Sequence, residues 1–322
     1  GQWQGVLLQI ICVAISFALY WPCLKLHEKD QADQEARKYQ QMLSKLNEEN
    51  DLTGVYRSQS SLAQFCRMLL NDLNVAMEKQ QLELHYQPKV NADLKVVGAE
   101  ALLRWRHERL GSISPALIVQ LAELSGDIHK LGNWVVDQCM RDVKILDKAG
   151  LSSVKFALNV SPIQLNESEF FDELLKKANQ YQINPTHLEI EITEGQQIEL
   201  SEVVLSGIQK LSNAGFSIAV DDFGMGYTSL RYLKTFPVNT LKIDGSIVKD
   251  VMSSSVVQEI ISSMSSLSHS MNVKLVAEWV ETSEQLKQLS QLGCDQFQGK
   301  HMSMPVPLEK FASYCAHQGI EG

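Results

Sequence analysis

Between residues 61 and 316, apolar β-branched runs alternate with amphipathic helical ones, and this alternation limits the fold more than any other feature of the chain. Strands are expected at 82–87, 95–103, 154–160, 187–193, 216–221, 239–243, 273–278 and 294–298. Helices are expected at 61–79, 115–124, 128–149, 167–181, 199–214, 254–271 and 282–292, with a shorter one at 228–235 and a last one at 307–316. No long linker interrupts the series, so a single domain over 61–318 is the economical reading. Repeated strand–helix units imply a largely parallel sheet. About eight strands in about 250 residues fit an α/β fold of the closed (β/α)8 TIM-like kind. A doubly wound open sheet is the structural alternative, but no GxGxxG opens a helix after the first strand.

In such a barrel the reactive face lies at the C-terminal strand ends. Polar residues gather there. Glu100 follows Val96-Val-Gly-Ala, Asn159 sits in Ala157-Leu-Asn-Val, and Glu191 and Glu194 lie in Glu189-Ile-Glu-Ile-Thr-Glu. Asp221 and Asp222 follow Ile218-Ala-Val, Lys242 and Asp244 lie in Leu241-Lys-Ile-Asp, and Glu278 follows Leu275-Val-Ala. One or two of these would serve as turn formers; so many on one rim ask for another reason. Crowded carboxylates repel and take up protons unless a cation neutralises them. Carboxylate and amide oxygens are hard ligands, suited to Mg²⁺, Mn²⁺ or Ca²⁺. Adjacent Asp221 and Asp222 could serve two neighbouring metals, and Lys242 adds a fixed cation. The chemistry that follows is metal-dependent attack of water on a phosphate ester. Asp221-Asp-Phe-Gly-Met-Gly-Tyr-Thr-Ser-Leu230, with two glycines, reads as a mobile loop over that site or as a tight β/α turn.

Acidic residues exceed basic ones, 38 against 29, for a formal charge of −9. Binding of duplex nucleic acid through a basic surface is therefore not expected. A small anionic ligand remains compatible with that charge when metal ions are bound. The six cysteines form no CxxC pair and no zinc-spaced cluster, as expected of reduced, mostly buried thiols.

Residues 3–24 carry no charge and match the length of a membrane-spanning helix, with Trp3, Tyr20 and Trp21 near its ends. A signal peptide should open on a basic region, absent here, and close on small residues, whereas this run ends in Tyr-Trp-Pro-Cys. A transmembrane helix is therefore expected, and Lys25 and Lys29 after it favour a cytoplasmic C-terminal side. The first residue is Gly1 rather than Met, and the chain is expected to be part of something longer. Residues 25–60 are polar and rich in helix formers, with a stripe at Ala32, Ala36, Tyr39, Leu43 and Leu46. They read as a juxtamembrane helical linker, either solvated or pairing two chains as a short coiled coil.

The motifs resemble the EAL-domain family of cyclic di-GMP phosphodiesterases. The signature stands as Ala99-Glu-Ala-Leu-Leu-Arg-Trp105. Other blocks follow in family order, from Tyr86-Gln-Pro88 before it to Leu158-Asn-Val-Ser161, Glu191-Ile-Thr-Glu194, Asp221-Asp-Phe-Gly224, Leu241-Lys-Ile-Asp244, Ala277-Glu278 and Gly293-Cys-Asp-Gln-Phe-Gln-Gly299. The resemblance implies a modified (β/α)8 barrel that opens one phosphodiester of cyclic di-GMP to give linear pGpG with two Mg²⁺ or Mn²⁺ ions. It implies that Glu100, Asn159, Glu191 and Asp221 hold one cation, and that Asp221, Asp222 and Asp244 serve the second. Glu278 would be the general base or a metal-side acid, and Lys242 would orient water or steady phosphorane charge. Glu194 would anchor the Asp221–Leu230 loop, while Gln87, Arg104, Gln298 and Glu281 would contact the dinucleotide. A homodimer at the bacterial inner membrane, catalytic domain in the cytoplasm, completes the expectation. A catalytically weak cyclic di-GMP receptor coupled to the membrane segment is the alternative.

Several positions depart from the family pattern. Trp279 stands where glycine is usual, Lys300 where an aromatic is usual, and Ser303-Met-Pro305 replaces Ser-Lys-Pro. Met225 and Thr228 replace a common Thr and Ser. None of these removes an expected metal ligand.

Overall fold

The computed structural model describes residues 37–48, 52, 55, 57–151, 153–193, 200–224 and 233–320. From Ser61 its elements run α1 (Ser61–Glu78), β1 (Leu82–Val90), β2 (Val96–His107), β3 (Gly111–Ile113), α2 (Pro115–Ser125) and α3 (Ile128–Lys148). Then come β4 (Lys155–Val160), α4 (Pro162–Leu165), α5 (Ser168–Tyr181), β5 (Leu188–Thr193), α6 (Glu202–Asn213), β6 (Ser217–Phe223), β7 (Thr240–Ile243) and α7 (Gly245–Val248). The series ends with α8 (Ser255–Ser270), β8 (Lys274–Ala277), α9 (Ser283–Gln291), β9 (Gln296–Phe297), β10 (Val306–Pro307) and α10 (Leu308–Gln318).

The strands close into an eight-membered ring in the order β1-β2-β4-β5-β6-β7-β8-β9 and back to β1. Neighbours from β2 round to β9 are parallel, while β1 is antiparallel to both of its partners. The reason is local. The Asn91 side chain accepts from the Asp93 and Lys95 backbone N–H groups, and the Asn91 N–H bonds the Lys95 carbonyl. That tight turn cannot hold a crossover helix, so β1 and β2 form a hairpin. β3 and β10 lie outside the ring, as antiparallel additions to β2 and β1. The closed ring excludes the open-sheet alternative.

Alternation along the strands separates two environments. Phe156, Leu158, Ile190, Ile192, Ile218, Val220, Leu241, Ile243 and Leu275 are buried against the helical shell. The intervening positions carry Glu189, Glu191, Thr240 and Lys242, which are buried too, but inside the ring. The lumen is thus lined by polar side chains that must satisfy one another.

Two strand ends that bear on the site differ from the sequence reading. β2 runs four residues past the expected 103, because it leaves the ring and continues as a hairpin with β3. Its last pairing to β4 is Ala101 with Leu158, so Glu100 sits at the mouth although it is mid-strand. β6 extends through Asp221 and Asp222 to Phe223. The expected helix 228–235 falls mostly outside the described residues.

Residues 37–48 are helical and lie on the barrel domain. Leu43 and Leu46 are buried, and the Tyr39 ring stacks on Phe65 with centroids 5.6 Å apart. The Gln40 amide donates to the Leu110 carbonyl at 2.8 Å. The apolar stripe of the linker therefore packs within its own chain over this stretch. Among the described residues no helix is long and apolar enough to cross a membrane. The expected span 3–24 lies outside them. Cys66, Cys139, Cys294 and Cys315 are free and buried, and burial pushes their thiol pKa values up, which keeps them unreactive.

Candidate active site

The mouth of the ring is organised around one lysine. Lys242, on β7, is wholly buried and reaches four carboxylates from four different strands or strand ends. Its Nζ lies 2.9 Å from Glu191, 2.9 Å from Glu278, 3.1 Å from Asp221 and 3.5 Å from Glu100. Burial works against the ammonium, but the four anions outweigh it and hold its pKa well above the ordinary lysine range.

Glu100 is the best supported of the four. The Asn159 amide donates to its Oε1 at 2.7 Å, and the Gln298 amide donates to its Oε2 at 2.7 Å. Burial alone would raise its pKa, yet Lys242 and these two donors bring it down to about 2. Glu191 and Glu278 fare differently. Desolvation lifts Glu191 to about 7 and Glu278 to about 8, with neighbouring carboxylates adding to it and Lys242 opposing. Lys242 and, for Glu191, Lys89 do not bring these two carboxyls back to the ordinary range.

Asp221 and Asp222 both serve the mouth, which neighbours on a regular strand cannot do. Against β7 the register breaks between Val220 and Phe223, where Asp222 takes a left-handed φ of +54°, while Asp221 still pairs with Thr193 of β5. That bulge turns two consecutive carboxylates towards one place. One oxygen each from Asp221, Asp222 and Glu278 lies within 4.8 Å of the others. Desolvation, then Asp221 and Asp244, raises Asp222 to about 6. Asp244 caps α7, accepting from the Ser246 N–H at 3.0 Å, and its charge faces Asp222.

The remaining expected residues divide. Gln87 accepts from the Gln298 amide at 3.0 Å and donates to the Ser303 carbonyl at 3.2 Å, so it belongs to the site. Arg104 is half-buried on β2, four residues beyond Glu100, and its guanidinium donates to the Leu103 carbonyl at 2.8 Å. Glu281 is half-exposed and paired with Lys300 at 2.8 Å, away from the lysine-centred cluster's ion pairs. Glu194 lies outside the described residues.

Two residues that carry much of the electrostatics have no role in the sequence reading. Lys89 and Glu189 form a buried pair at 2.6 Å below the mouth, and Lys89 also reaches Glu191 at 3.2 Å. Thr240 donates to the other Glu189 oxygen at 2.6 Å. Their signal was period two: Glu189 with Glu191, Thr240 with Lys242, and Gln87 with Lys89 each share a strand face.

The donor set fits hard divalent cations. Asp221, Asp222 and Glu278 converge without enough positive charge, and the buried Gln298 Oε1 has no hydrogen-bond partner. All ligand atoms on offer are oxygens, as Mg²⁺, Mn²⁺ or Ca²⁺ require.

The family model described as the EAL domain matches residues 70–305. Among curated proteins, the bifunctional diguanylate cyclase/cyclic di-GMP phosphodiesterase MucR of Pseudomonas aeruginosa is 37% identical over 260 residues, covering 80% of this chain and 38% of that protein. The cyclic di-GMP phosphodiesterase PdeR of Escherichia coli is 33% identical over 240 residues, covering 74% of this chain and 36% of that protein. The chain thus spans a little over a third of the length of these two relatives. Among solved structures, the PaMucR phosphodiesterase in complex with c-di-GMP superposes with a TM-score of 0.72 at 37% identity, covering 76% of this chain and 99% of that one.

Proposed function

This chain belongs to the EAL-domain family, and on that premise we propose that it hydrolyses cyclic di-GMP to linear pGpG with two divalent cations, Mg²⁺ or Mn²⁺. The observation that carries the reading is the arrangement of Lys242 among Glu100, Glu191, Asp221 and Glu278, beside the three converging oxygens of Asp221, Asp222 and Glu278. Glu100, Asn159, Glu191 and Asp221 would hold one cation. Asp221, Asp222, Asp244 and Glu278 would hold or flank the second. Cations held by these residues would supply Lewis-acid polarisation of a phosphoryl oxygen and a more nucleophilic water near neutral pH.

The chain's own side chains do the rest. Lys242 offers a desolvated positive charge to the phosphoryl group as charge develops on it. Glu278, paired with Lys242 at 2.9 Å and converging with Asp221 and Asp222, is the candidate to accept a proton from water or to serve as a metal-side acid. Arg104 presents a planar fork to a phosphate or a guanine edge. Gln298, which donates to both Gln87 and Glu100, sets with Gln87 the wall between ligand and rim. Membrane anchoring through residues 3–24, a cytoplasmic catalytic domain at the inner membrane, and a homodimer complete the proposal.

The test is the full chain incubated with cyclic di-GMP and Mg²⁺ or Mn²⁺, with products separated by chromatography. Linear pGpG is expected, lost with chelator and reduced to the chelated baseline in Glu100→Ala. Turnover that survives in Glu100→Ala would remove the lysine-centred site as the catalytic one. Binding without product in either metal would establish the receptor reading.

A second expectation concerns pH. Glu191, Glu278 and Asp222 have folded pKa values above their ordinary ones of 4.5, 4.5 and 3.8. The folded protein therefore holds more protons than the unfolded chain over that interval, and stability falls as pH rises. The melting temperature of the chelated protein should drop from about pH 5 to about pH 8, relative to the protein in saturating Mg²⁺ or Mn²⁺. Parallel pH profiles with and without metal would show that these carboxylates are already balanced.

A further inference from the structure

Trp279 follows Glu278 directly and occupies a left-handed backbone conformation, φ +51°. Few residues with a β-carbon adopt it, and a bulky aromatic one is an outlier. The ring gains little from burial, because the residue is 61% exposed.

The surrounding backbone leaves no freedom to relax this. The Glu278 N–H bonds the Ile243 carbonyl at 3.3 Å, and the Val280 N–H bonds the Gln298 carbonyl at 3.0 Å. Val280 is fully buried, and its carbonyl accepts from the His301 N–H at 3.0 Å. One step further, Gln285 Oε1 accepts from the Glu281 N–H at 2.8 Å as part of a helix cap. A left-handed conformation held in this way at a mostly exposed aromatic residue is a pointer to function.

The ring itself is seated. A Cβ added at Gly245 would fall upon the Trp279 Cγ and Cδ2 atoms, so the indole rests directly over that glycine backbone. Gly245 follows Asp244, which faces Asp222. The indole thus lies against the Gly245 backbone with most of the residue in solvent, and its chain neighbour Glu278 belongs to the acidic cluster. Glu281, the polar group two residues on, is engaged by Lys300 at 2.8 Å.

We propose that Trp279 is a stacking platform for a purine base of the nucleotide whose phosphate lies at the carboxylate cluster. The proposal rests on the hydrolase reading above for the identity of that nucleotide. An exposed, pre-positioned indole stacks on a base without needing hydrogen-bond readout, so it contributes affinity rather than chemistry. Trp279 is a binding residue in this scheme, and the strained backbone fixes its ring before the ligand arrives.

The experiment compares Trp279→Ala, Trp279→Gly and Trp279→Phe with the wild-type full chain, using cyclic di-GMP and Mn²⁺. KM should rise roughly tenfold in the Ala and Gly variants, with kcat within about twofold, and return close to the wild-type value in Trp279→Phe. Trp279→Gly should melt no lower than the wild type, since glycine accepts the left-handed backbone without strain. That combination separates ligand stacking from a structural role. An unchanged or lowered KM in the Ala and Gly variants would overturn the proposal and make the ring a bystander or an obstacle. If the wild type makes no product, the hydrolase reading fails, and tryptophan fluorescence titration with cyclic di-GMP decides the platform. Quenching present in the wild type and absent in Trp279→Phe upholds stacking, and no difference between the two sinks it.

Discussion

Lys242→Gln is expected to lower turnover of cyclic di-GMP by ~10³-fold at saturating metal, with the divalent cations bound more tightly than by the wild type. The lysine is fully buried and is, among the described residues, the one ammonium common to Glu100, Glu191, Asp221 and Glu278. Glutamine keeps most of the side-chain volume and removes the charge. Breaking a buried ionic cluster on one side leaves uncompensated anions, at a cost of about 3–5 kcal/mol. Added divalent cations can neutralise those same carboxylates, so the stability loss should be large in chelator and small in Mg²⁺ or Mn²⁺. The turnover loss should persist, because no cation replaces the positive charge at the position of Nζ. Initial rates and melting curves, each with and without metal, read both effects. Wild-type turnover in Lys242→Gln would reduce the residue to a counter-ion for the metal-free site.

Lys89→Met should give the largest loss of stability outside the mouth. Lys89 and Glu189 are both buried and 2.6 Å apart, and Lys89 also reaches Glu191. Methionine fills the space but strands the Glu189 carboxylate, at about 3–5 kcal/mol, or on the order of 10 °C in melting temperature for a domain of this size. The sign with pH follows from Glu189. Its burial favours the neutral form, but Lys89 and the Thr240 hydroxyl bring its pKa below the ordinary range. A carboxyl lowered in this way contributes stability above its unfolded value, lost as pH falls through the folded one. Without Lys89 the same carboxyl should be raised, so the deficit of the variant should shrink between pH 8 and pH 5. Lys89→Met with Glu189→Gln should recover about half of it, since the amide keeps the Thr240 bond without a charge. A deficit independent of pH would mean that packing, not charge, is what Lys89 supplies.

Within the described residues the expected strands and helices of the barrel recur with ends shifted by a few residues, because alternation and helical periodicity are local properties of the chain. The position of Glu100 was read correctly for an incomplete reason. Its strand does not end there; β2 leaves the ring after Ala101 and runs on to pair with β3. The hairpin that makes β1 antiparallel turns on Asn91, an Asx turn whose strength depends on two backbone bonds. Lys89 and Glu189 were missed because a lysine among apolar residues reads as an edge or a solvated face until the ring closes around it.

Periodicity along the chain favours the barrel over an open sheet and puts most of the carboxylates, with the lysine among them, at or near strand ends, since both are local properties of residue order. Only the tertiary structure decided which groups share charge. The bulge at Asp222 turns adjacent aspartates to one point, ring closure brings Lys242 within reach of four strands, and Gly245 makes room for the Trp279 ring. Electrostatic coupling depends on distance and desolvation, and both are set by the closed ring rather than by spacing along the chain.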